Sequence, residues 1–275
     1  MSGVNPASPF ENLENLSFDA VCAARRGAGL VAVFDFDGTL VKIARDPESV
    51  RATPKVGQGI ETLARRADTT VGVVSGRPLD HLLHMVVAPD VWLFGLHGWE
   101  HRAPGGPVVR GWPPSALDVG IEQRALLRRR LGPSQGERIE DKGPIVAVHT
   151  RAANPERRAF VEKVVHEVRL PGLALIVGRR VLELRPVDAP TKGHAVRTIA
   201  ESRPNAPILY VGDDTTDEDA FAVLGEHDFA VLVDDEHAHA ERPRDAVKHA
   251  RYAVSGTDDV ARLVRILGIE ASCPV

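Results

Sequence analysis

The chain is poor in cysteine and in long apolar runs, and these two shortages exclude several classes of protein. Its 275 residues include two cysteines, Cys22 and Cys273, which form no CxxC pair. The sequence therefore predicts neither a disulfide framework nor a cysteine zinc site. No stretch approaches the roughly 20 apolar residues that a membrane span requires. The N-terminal segment lacks the basic and apolar regions of a secretory signal, so we expect a cytoplasmic protein without a membrane partner.

An excess of basic charge is also missing. The chain has 34 Lys and Arg residues against 38 Asp and Glu residues, a formal net charge of −4. No overall positive field therefore favours nucleic acid as a partner. Apolar residues make up 43% of the chain and charged residues 26%, which is typical of a globular protein with a substantial core. We expect a monomer that binds a small molecule.

Short apolar runs alternate with helix-like stretches, and this alternation predicts an α/β fold with a doubly wound parallel sheet. Strands that are apolar throughout are typical of a parallel sheet covered on both faces. Helix signals lie between them: Thr53-Pro54 fits an N-cap and first helical residue, and a last amphipathic run from Thr257 ends at Gly268. The apolar runs lie at residues 30–36, 71–74, 91–95, 208–211, 229–233 and 251–254.

The middle of the chain has the pattern of a separate α+β unit. A segment rich in glycine and proline at 103–114 indicates a boundary. Helix-like stretches at about 116–131 and 155–169 follow, with strands at 146–150, 173–177 and 181–185, of which the last two form a hairpin. We predict a Rossmann-like core that carries an inserted α+β cap domain. The predicted divisions are an N-terminal extension at 1–28, the core at 29–104 and 187–275, and the cap at 105–186.

Two acids separated by one residue follow the first apolar strand. Residues 31–40 read VAVFDFDGTL, and alternate side chains of a strand point to the same face. Asp35 and Asp37 should therefore emerge together where a buried strand meets a glycine loop. Desolvation and mutual repulsion make such a pair costly to ionise, so a metal ion, or a reaction that needs an acid beside a nucleophile, would explain it. A solvated Asp-Gly turn is the alternative interpretation.

Three further elements place polar groups at a strand end or a helix start. Ser75 follows an apolar strand, Lys192 opens a helix-like run, and Asp213 follows the strand at 208–211. Because ligands of open α/β sheets bind outside the carboxyl ends of the strands, these groups should converge on one crevice.

Each of these features also has a structural interpretation. A lone Ser75 is more often a turn former, and a lone Lys192 is more often solvated. The acids after Asp213 could begin a helix through a capping box formed by Thr215 and Glu218. All the elements together, each at a strand end or a helix start, favour a functional site.

Such a crevice could transfer a phosphoryl group. Asp35 and Asp213 are hard oxygen ligands suited to Mg²⁺, while Lys192 and the Ser75 hydroxyl can hold phosphoryl oxygens. Asp35 would attack phosphorus, and Asp37 would protonate the leaving oxygen and later activate water. A carboxylate approaching a phosphate dianion faces about 8 kcal/mol of repulsion at an effective dielectric of 20. We therefore expect the activity to depend on the metal ion.

These motifs resemble those of haloacid-dehalogenase-superfamily phosphatases, with the insertion between the second and third motifs, where type-two caps lie. More specifically, the chain is similar to the trehalose-6-phosphate phosphatase family over about residues 30 to 255. It departs from that family at Thr150, where an aromatic residue is usual, and at Arg179, where lysine is common. The motifs that carry the resemblance are Asp35 to Thr39, Ser75-Gly76-Arg77, His97-Gly98-Trp99-Glu100, Glu140-Asp141-Lys142-Gly143, His149-Thr150-Arg151, Glu183-Leu184-Arg185-Pro186, Lys192-Gly193 and Gly212 to Glu218.

The resemblance implies Mg²⁺-dependent hydrolysis of trehalose 6-phosphate to trehalose and phosphate through an aspartyl-phosphate intermediate. It implies catalytic roles for Asp35, Asp37, Ser75 and Lys192, and metal ligation by Asp35, Asp37, Asp213 and Asp214. The implied substrate-binding residues are Thr39, Gly76, Arg77, His97, Glu100, Glu140, Lys142, His149, Arg151, Glu183 and Asp217.

Other functions remain open at the level of the sequence. A related capped phosphatase could act on sucrose phosphate or a glycosyl-phosphoglycerate, and Lys142 or Arg151 alone could be surface charges. A sugar-phosphate-binding domain without catalysis would be expected to lack one of the core groups, and this chain keeps them all. Phosphoryl transfer from a nucleotide is unsupported because the chain has no GxxxxGK[ST] loop.

Overall fold

The computed structural model describes residues 13–43, 54–178, 180–234 and 247–269. The strands are β1 Glu14–Asn15, β2 Leu30–Asp35, β3 Thr69–Val74, β4 Trp92–Gly95, β5 Glu100–Arg102, β6 Val108–Arg110, β7 Arg138–Lys142, β8 Ile145–His149, β9 Leu173–Gly178, β10 Val181–Pro186, β11 Ile208–Gly212, β12 Phe229–Val233 and β13 Tyr252–Val254. The helices are α1 Phe18–Ala28, α2 Pro54–Ala64, α3 Leu79–Met85, α4 Pro114–Leu131, α5 Pro155–Val168, α6 Lys192–Ala200, α7 Glu218–Phe221 and α8 Thr257–Gly268, with short 3₁₀ turns at Leu96–Gly98 and Thr215–Asp217.

The larger sheet has nine strands in the order β1-β13-β12-β11-β2-β3-β4-β5-β6. Along this order, all the strands from β1 as far as β4 pair with their neighbours in parallel. The last two strands, β5 and β6, form an antiparallel edge next to β4. Every residue of β2 is buried because each of its faces meets a separate apolar layer. Leu30 and Phe34 pack on the side of α2 and α8, and Val31 and Val33 pack on the side of α6. The predicted doubly wound α/β fold is confirmed.

The helix signals of the sequence agree with the structure within a few residues. The last helix begins at Thr257 as predicted and buries Val260 and Leu263. The helix after the first strand begins at Pro54, and Thr53, its predicted N-cap, lies outside the described residues. Helix α6 begins at Lys192, so this lysine lies at the N-terminus of a helix.

The second sheet is built from one continuous part of the chain. Its four strands are antiparallel in the order β7-β8-β10-β9, and α4 and α5 cover one side of it through Leu127, Val161 and Val165. Strands β9 and β10 form the predicted hairpin, with Gly178 opposite Val181. The predicted boundary after residue 104 falls within the β5–β6 hairpin of the larger sheet.

The N-terminal part joins the larger sheet, since β1 pairs with β13 and Val21 of α1 is fully buried. Cys22 is also buried. Cys273 lies outside the described residues. Among the residues that the structure describes, no helix is both long and apolar enough to cross a membrane.

Candidate active site

The carboxyl ends of β2, β3 and β11 lie side by side and carry the acids and the serine of the site. Strand β2 pairs in parallel with β3 on one side and β11 on the other. Asp35 is the last residue of β2, Ser75 follows β3, and Asp213 follows β11. Parallel pairing brings these ends to one edge of the sheet. The sequence motifs converge there because the sheet places strands that are distant in the chain next to each other.

Lys192 connects two of the buried acids. Its Nζ donates to Asp35 Oδ1 and to Asp217 Oδ1, both at 2.7 Å. Oxygens of Asp35, Asp213 and Asp217 lie within 4.8 Å of one another. Burial raises the pKa of Asp35 to about 7, although Lys192 opposes that shift. Burial and the charge of Asp35 raise the pKa of Asp213 well above its ordinary value. Such a cluster of acids fits a divalent cation, whose charge would favour the ionised carboxylates.

Asp217 is enclosed by four hydrogen-bond donors. Its Oδ1 accepts from Lys192 and from the Tyr210 hydroxyl, and its Oδ2 accepts from the backbone N–H groups of Asp213 and Asp214 at 3.0 and 2.9 Å. The side chain is fully buried and does not line the cavity. A carboxylate has about four acceptor positions, so we assign Asp217 to positioning, where the sequence predicts substrate binding.

The capping box of this turn differs from the one that the sequence suggests. Asp214 is the N-cap, its carboxylate accepts from Thr215 N–H, and Asp217 supplies the reciprocal bond. The box therefore uses Asp214 and Asp217 in place of Thr215 and Glu218. Asp37 and Asp214, both predicted to bind metal, lie outside the three-acid cluster because Arg77 holds the carboxylate of Asp37 and Asp214 caps the turn.

Gly38 allows β2 and β11 to approach closely at the site. Its φ is +85°, and a Cβ built there would lie 2.0 Å from Asp213 Oδ2. Any larger residue would displace this carboxylate and would be strained in the left-handed region. Thr39, which is predicted to bind substrate, is fully buried and donates to Asp213 Oδ1 at 3.5 Å. The DFDGT motif thus shapes the acidic cluster as well as supplying one of its acids, Asp35.

Arg77 holds the carboxylate of Asp37 with two hydrogen bonds. Its Nη2 lies 2.6 Å from Asp37 Oδ1, and its Nε donates to Oδ2. The Ser75 hydroxyl accepts from the backbone N–H of Arg77 at 3.1 Å, which tightens the loop. Bidentate pairs of this type fix orientation as well as charge. Asp37 and Arg77 line the cavity, whereas Ser75, predicted to be catalytic, is buried beside it.

His97 joins the larger sheet to the smaller one. Its Nε2 lies 2.8 Å from Glu183 Oε2, and Lys142 Nζ contacts both Glu183 and the carbonyl of Gly76, the latter at 3.0 Å. Lys142 holds the pKa of Glu183 well below its usual range against the effect of burial, and burial lowers the pKa of His97. The imidazole is therefore neutral and donates from Nε2 to an ionised Glu183.

The backbone at His97 is unusual for a residue other than glycine. Leu96 and His97 have φ values of 49° and 59°, which cost about 1–3 kcal/mol each in residues of this type. Their N–H groups donate to the carbonyls of Arg77 and Ser75 at 2.9 and 3.0 Å. These bonds hold the left-handed turn that presents the imidazole to Glu183.

The remaining polar residues of the smaller sheet face the same cavity. His149 pairs with Glu140 through Nε2, and with Lys142 it lowers the pKa of Glu140 to about 2 despite burial. Arg151 also lines the cavity. Thr150 donates to the carbonyl of Arg180, and Arg179 lies outside the described residues.

One cavity of about 350 Å³ brings most of the predicted residues together. Four predicted residues do not line it: Ser75, Thr39, Glu100 and Asp217. The sequence interpretation missed other lining residues, among them His81 of α3 and Arg138, which alternation along β7 from Glu140 indicates. The lining residues that were predicted are Asp35, Asp37, Gly76, Arg77, His97, Glu140, Lys142, His149, Arg151, Glu183, Lys192, Asp213 and Asp214.

The parallel sheet, with its acidic cluster and lysine at the carboxyl ends of the strands, defines a haloacid-dehalogenase-type fold and site. The family model described as trehalose-phosphatase matches residues 33–257. The chain therefore belongs to the trehalose-phosphatase family.

Individual relatives agree with this family. The chain is 34% identical over 268 residues to trehalose-phosphate phosphatase of Mycobacterium tuberculosis H37Rv. This alignment covers 92% of the chain and 68% of the relative. It is 37% identical over 227 residues to trehalose-phosphate phosphatase of Mycobacterium marinum, with 78% and 58% covered. The match thus extends over 58% to 68% of the length of these relatives. The C-terminal domain of Candida albicans trehalose-6-phosphate phosphatase shares the fold, with a TM-score of 0.79, 20% identity, and 93% and 98% of the two chains covered.

Proposed function

We propose that this protein is an Mg²⁺-dependent phosphatase that hydrolyses trehalose 6-phosphate to trehalose and phosphate. The observation that carries the proposal is one cavity with two chemically different walls. Asp35, Asp37 and Lys192 form the wall at the larger sheet, and Glu140 and Glu183 belong to the wall at the smaller sheet. The first wall suits a phosphoryl group, and the second suits a ligand rich in hydroxyl groups.

Asp35 is the nucleophile in this proposal. It lies at a strand end, is nine-tenths buried, and has its carboxylate oriented by Lys192. Attack on phosphorus forms an aspartyl phosphate and releases the sugar oxygen. Lys192 offsets part of the repulsion between carboxylate and phosphate, which amounts to about 4 kcal/mol for each pair of unit charges at 4 Å and an effective dielectric of 20.

Asp35 and Asp213 would hold Mg²⁺ here, with Asp214 at the edge of the same cavity. The fit rests on carboxylates whose pKa values are raised by burial and by the charges of neighbouring acids. When bound, the ion supplies positive charge that stabilises the phosphoryl oxygens. Asp217 contributes indirectly, because its four donors leave it no free acceptor position.

Asp37 is the proton-transfer group. It is two residues from Asp35, lines the cavity, and is oriented by the bidentate contact with Arg77. It would protonate the leaving sugar oxygen and then take a proton from the water that hydrolyses the aspartyl phosphate.

The smaller sheet would bind the sugar. Glu183, Lys142 and the pair Glu140–His149 present charged donors and acceptors that a disaccharide with many hydroxyl groups can use. Glu183 lies between Leu182 and Leu184 on β10, so alternation turns it away from the apolar core and toward the cavity. The α+β unit would act as a cap that excludes water during the reaction and opens for product release.

Replacing the nucleophile is the direct test of the chemistry. Asp35→Asn should abolish phosphate release, because an amide is a poor nucleophile, while far-UV circular dichroism remains that of the wild type. Phosphate release is measured from trehalose 6-phosphate with Mg²⁺ and with EDTA. Appreciable turnover by the variant would exclude a covalent step at Asp35.

Replacing Glu183 tests the sugar assignment. Glu183→Ala should lower kcat/KM for trehalose 6-phosphate far more than for p-nitrophenyl phosphate, because only the first substrate reaches β10. Phosphate release from a panel that includes sucrose 6-phosphate and a glucosyl-phosphoglycerate identifies the preferred sugar. Equal losses of kcat/KM on both substrates would show that Glu183 of the smaller sheet does not recognise the sugar.

A further inference from the structure

We propose that Glu100 is a positioning residue for the phosphatase reaction, which acts by holding the loop that carries Arg77. This inference rests on the proposed function and changes the role that the sequence predicts for Glu100, which is contact with substrate. Glu100 would act through two intermediates, the backbone of residues 77–79 and the guanidinium of Arg77.

Glu100 lies behind the cavity wall. It is 4% exposed and does not line the cavity. Its carboxylate has two partners: Oε2 accepts from the backbone N–H of Leu79 at 2.6 Å, and Oε1 accepts from Arg110 Nε at 3.0 Å. Both oxygens are therefore engaged by groups of the protein, and neither faces a substrate.

Leu79, whose N–H donates to Glu100, is the first residue of α3 and directly follows the loop that contains Ser75 and Arg77. This loop is held along its length by the strand and turn beside it, since Ser75 N–H donates to Phe94 O, and Ser75 and Arg77 carbonyls accept from His97 and Leu96. Glu100 adds the contact at the far end of the loop. Pro78 lies between Arg77 and Leu79 with a φ of −54°, so the ring transmits the position of Leu79 to Arg77 with little freedom.

The packing around the loop is tight. A Cβ built at Gly95 would lie 2.5 Å from Leu79 N and 2.9 Å from Arg77 O. The backbone of β4 at Gly95 thus approaches the loop as closely as glycine permits. The carboxylate of Glu100 holds the end of the loop through the N–H of Leu79. Hydrogen bonds to a charged group are shorter and stronger than those between neutral groups, so this contact is suited to holding the end of the loop in one position.

The loop position matters because Arg77 orients Asp37, the proposed proton-transfer group. A displacement of about 1 Å at a catalytic group can lower a rate by about 100-fold. Loss of the Glu100 contact should therefore slow the reaction through Asp37, with little change in how tightly the sugar binds.

The test compares Glu100→Ala, Glu100→Gln and Asp80→Ala in the full chain. Asp80 is the matched control because it pairs with the same Arg110 but is exposed. We expect Glu100→Ala to lower kcat about 10- to 100-fold for both trehalose 6-phosphate and p-nitrophenyl phosphate, with KM changed less than about 3-fold. Glu100→Gln should recover most of this loss, because its amide oxygen can accept from Leu79 N–H. Asp80→Ala should keep the wild-type kcat.

A double-mutant cycle that combines the Glu100 variants with Arg77→Ala shows whether Glu100 changes kcat through Arg77. If it does, adding Glu100→Ala or Glu100→Gln to Arg77→Ala should lower kcat less than about 2-fold further, since interacting residues are not additive. A normal kcat with a lower melting temperature would assign Glu100 a structural role and overturn the proposal. A raised KM for trehalose 6-phosphate alone would mean contact with substrate and would overturn it as well.

The two substrates separate this inference from the proposed function. If the wild type hydrolyses p-nitrophenyl phosphate but not trehalose 6-phosphate, the sugar assignment is refuted. The positioning role of Glu100 would still be tested in that case, by kcat of the Glu100 variants on p-nitrophenyl phosphate. Full wild-type activity on both substrates with an unchanged Glu100→Ala variant would refute the positioning role alone.

Discussion

At the scale of single residues, Asp217 shows how a buried charge is stabilised. Four donors surround its carboxylate, and one of them, the Tyr210 hydroxyl, belongs to a fully buried ring on β11. The same carboxylate holds Lys192 against Asp35. Tyr210 therefore supports the position of Lys192 through Asp217, without lining the cavity itself.

Removing the Tyr210 hydroxyl should destabilise the protein. Tyr210→Phe leaves a buried carboxylate with one donor fewer, and a hydrogen bond to a charged group contributes about 1.5–3 kcal/mol. We expect the free energy of unfolding, measured with urea at pH 7, to fall by about 2 kcal/mol. Tyr252→Phe, in which a half-buried tyrosine of the same sheet loses its hydroxyl, should change it by less than about 0.5 kcal/mol. If both changes lower the free energy of unfolding equally, the hydrogen bond from Tyr210 to Asp217 is not the cause of the loss.

At the scale of elements, the strands and helices of the core follow from local patterns in the sequence. Runs such as 30–34 and 229–233 are apolar throughout because both faces of the sheet are covered, and the helix from Thr257 has a clear start and stop. These features are set within a few residues, so the sequence predicts them well.

Other elements depend on contacts that the local sequence does not show. Leu96 and His97 are left-handed although neither is glycine or asparagine, and the carbonyls of Arg77 and Ser75 hold them there by accepting their N–H groups. The position of Glu100 behind the cavity has the same origin. A motif identifies such residues, but only their partners, which are distant in the chain, define what they do.

The smaller sheet contains an ion pair that should make stability depend on pH. Arg157 of α5 donates to both oxygens of Glu137, which precedes β7, and these bonds lower the pKa of Glu137 to about 2 from its ordinary 4.5. A folded-state pKa below the unfolded value stabilises the protein above pH 4.5, and this stability is lost as the pH falls toward 2. The shift corresponds to about 3 kcal/mol.

Glu137→Gln should remove this dependence. We expect the variant to be less stable than the wild type at pH 7, by about 3 kcal/mol, and the difference to shrink as the pH falls below 4.5. Glu156→Gln, an exposed change in the first turn of α5, is the control and should follow the wild-type curve. Urea unfolding at several pH values measures both, and a constant difference between Glu137→Gln and the wild type would contradict the assignment.

At the scale of the whole molecule, the two sheets are joined by both charged and apolar contacts. Glu183 of β10 contacts His97, and Lys142 of β7 reaches the carbonyl of Gly76. Beside these polar contacts, Leu96 and Trp99 of the larger-sheet unit pack in one apolar cluster with Ile145 of β8. The charged contacts line the cavity, where a polar ligand could replace them, while the apolar cluster holds the two units together.

Mg²⁺ should stabilise the entire fold, because its proposed ligands lie at the ends of two adjacent strands in the middle of the larger sheet, β2 and β11. A ligand at about 100 times its dissociation constant adds about 2.7 kcal/mol to the free energy of unfolding. We expect Mg²⁺ to raise the melting temperature of the wild type but not of Asp213→Asn, measured by thermal scanning with EDTA-treated protein. An equal rise in both proteins would place the ion elsewhere.

The order of the strands also affects how the protein is made. Strand β2 is synthesised well before β11, with which it pairs through residues 31–34 and 208–211. Until β11 is made, Asp35 lacks its neighbours Lys192 and Asp213, and the central strand lacks one of its two partners. Such long-range parallel pairing is slow and leaves unpaired edges prone to aggregation. Chains released before about residue 213 should therefore lack the acidic cluster, be inactive in the proposed reaction and be short-lived.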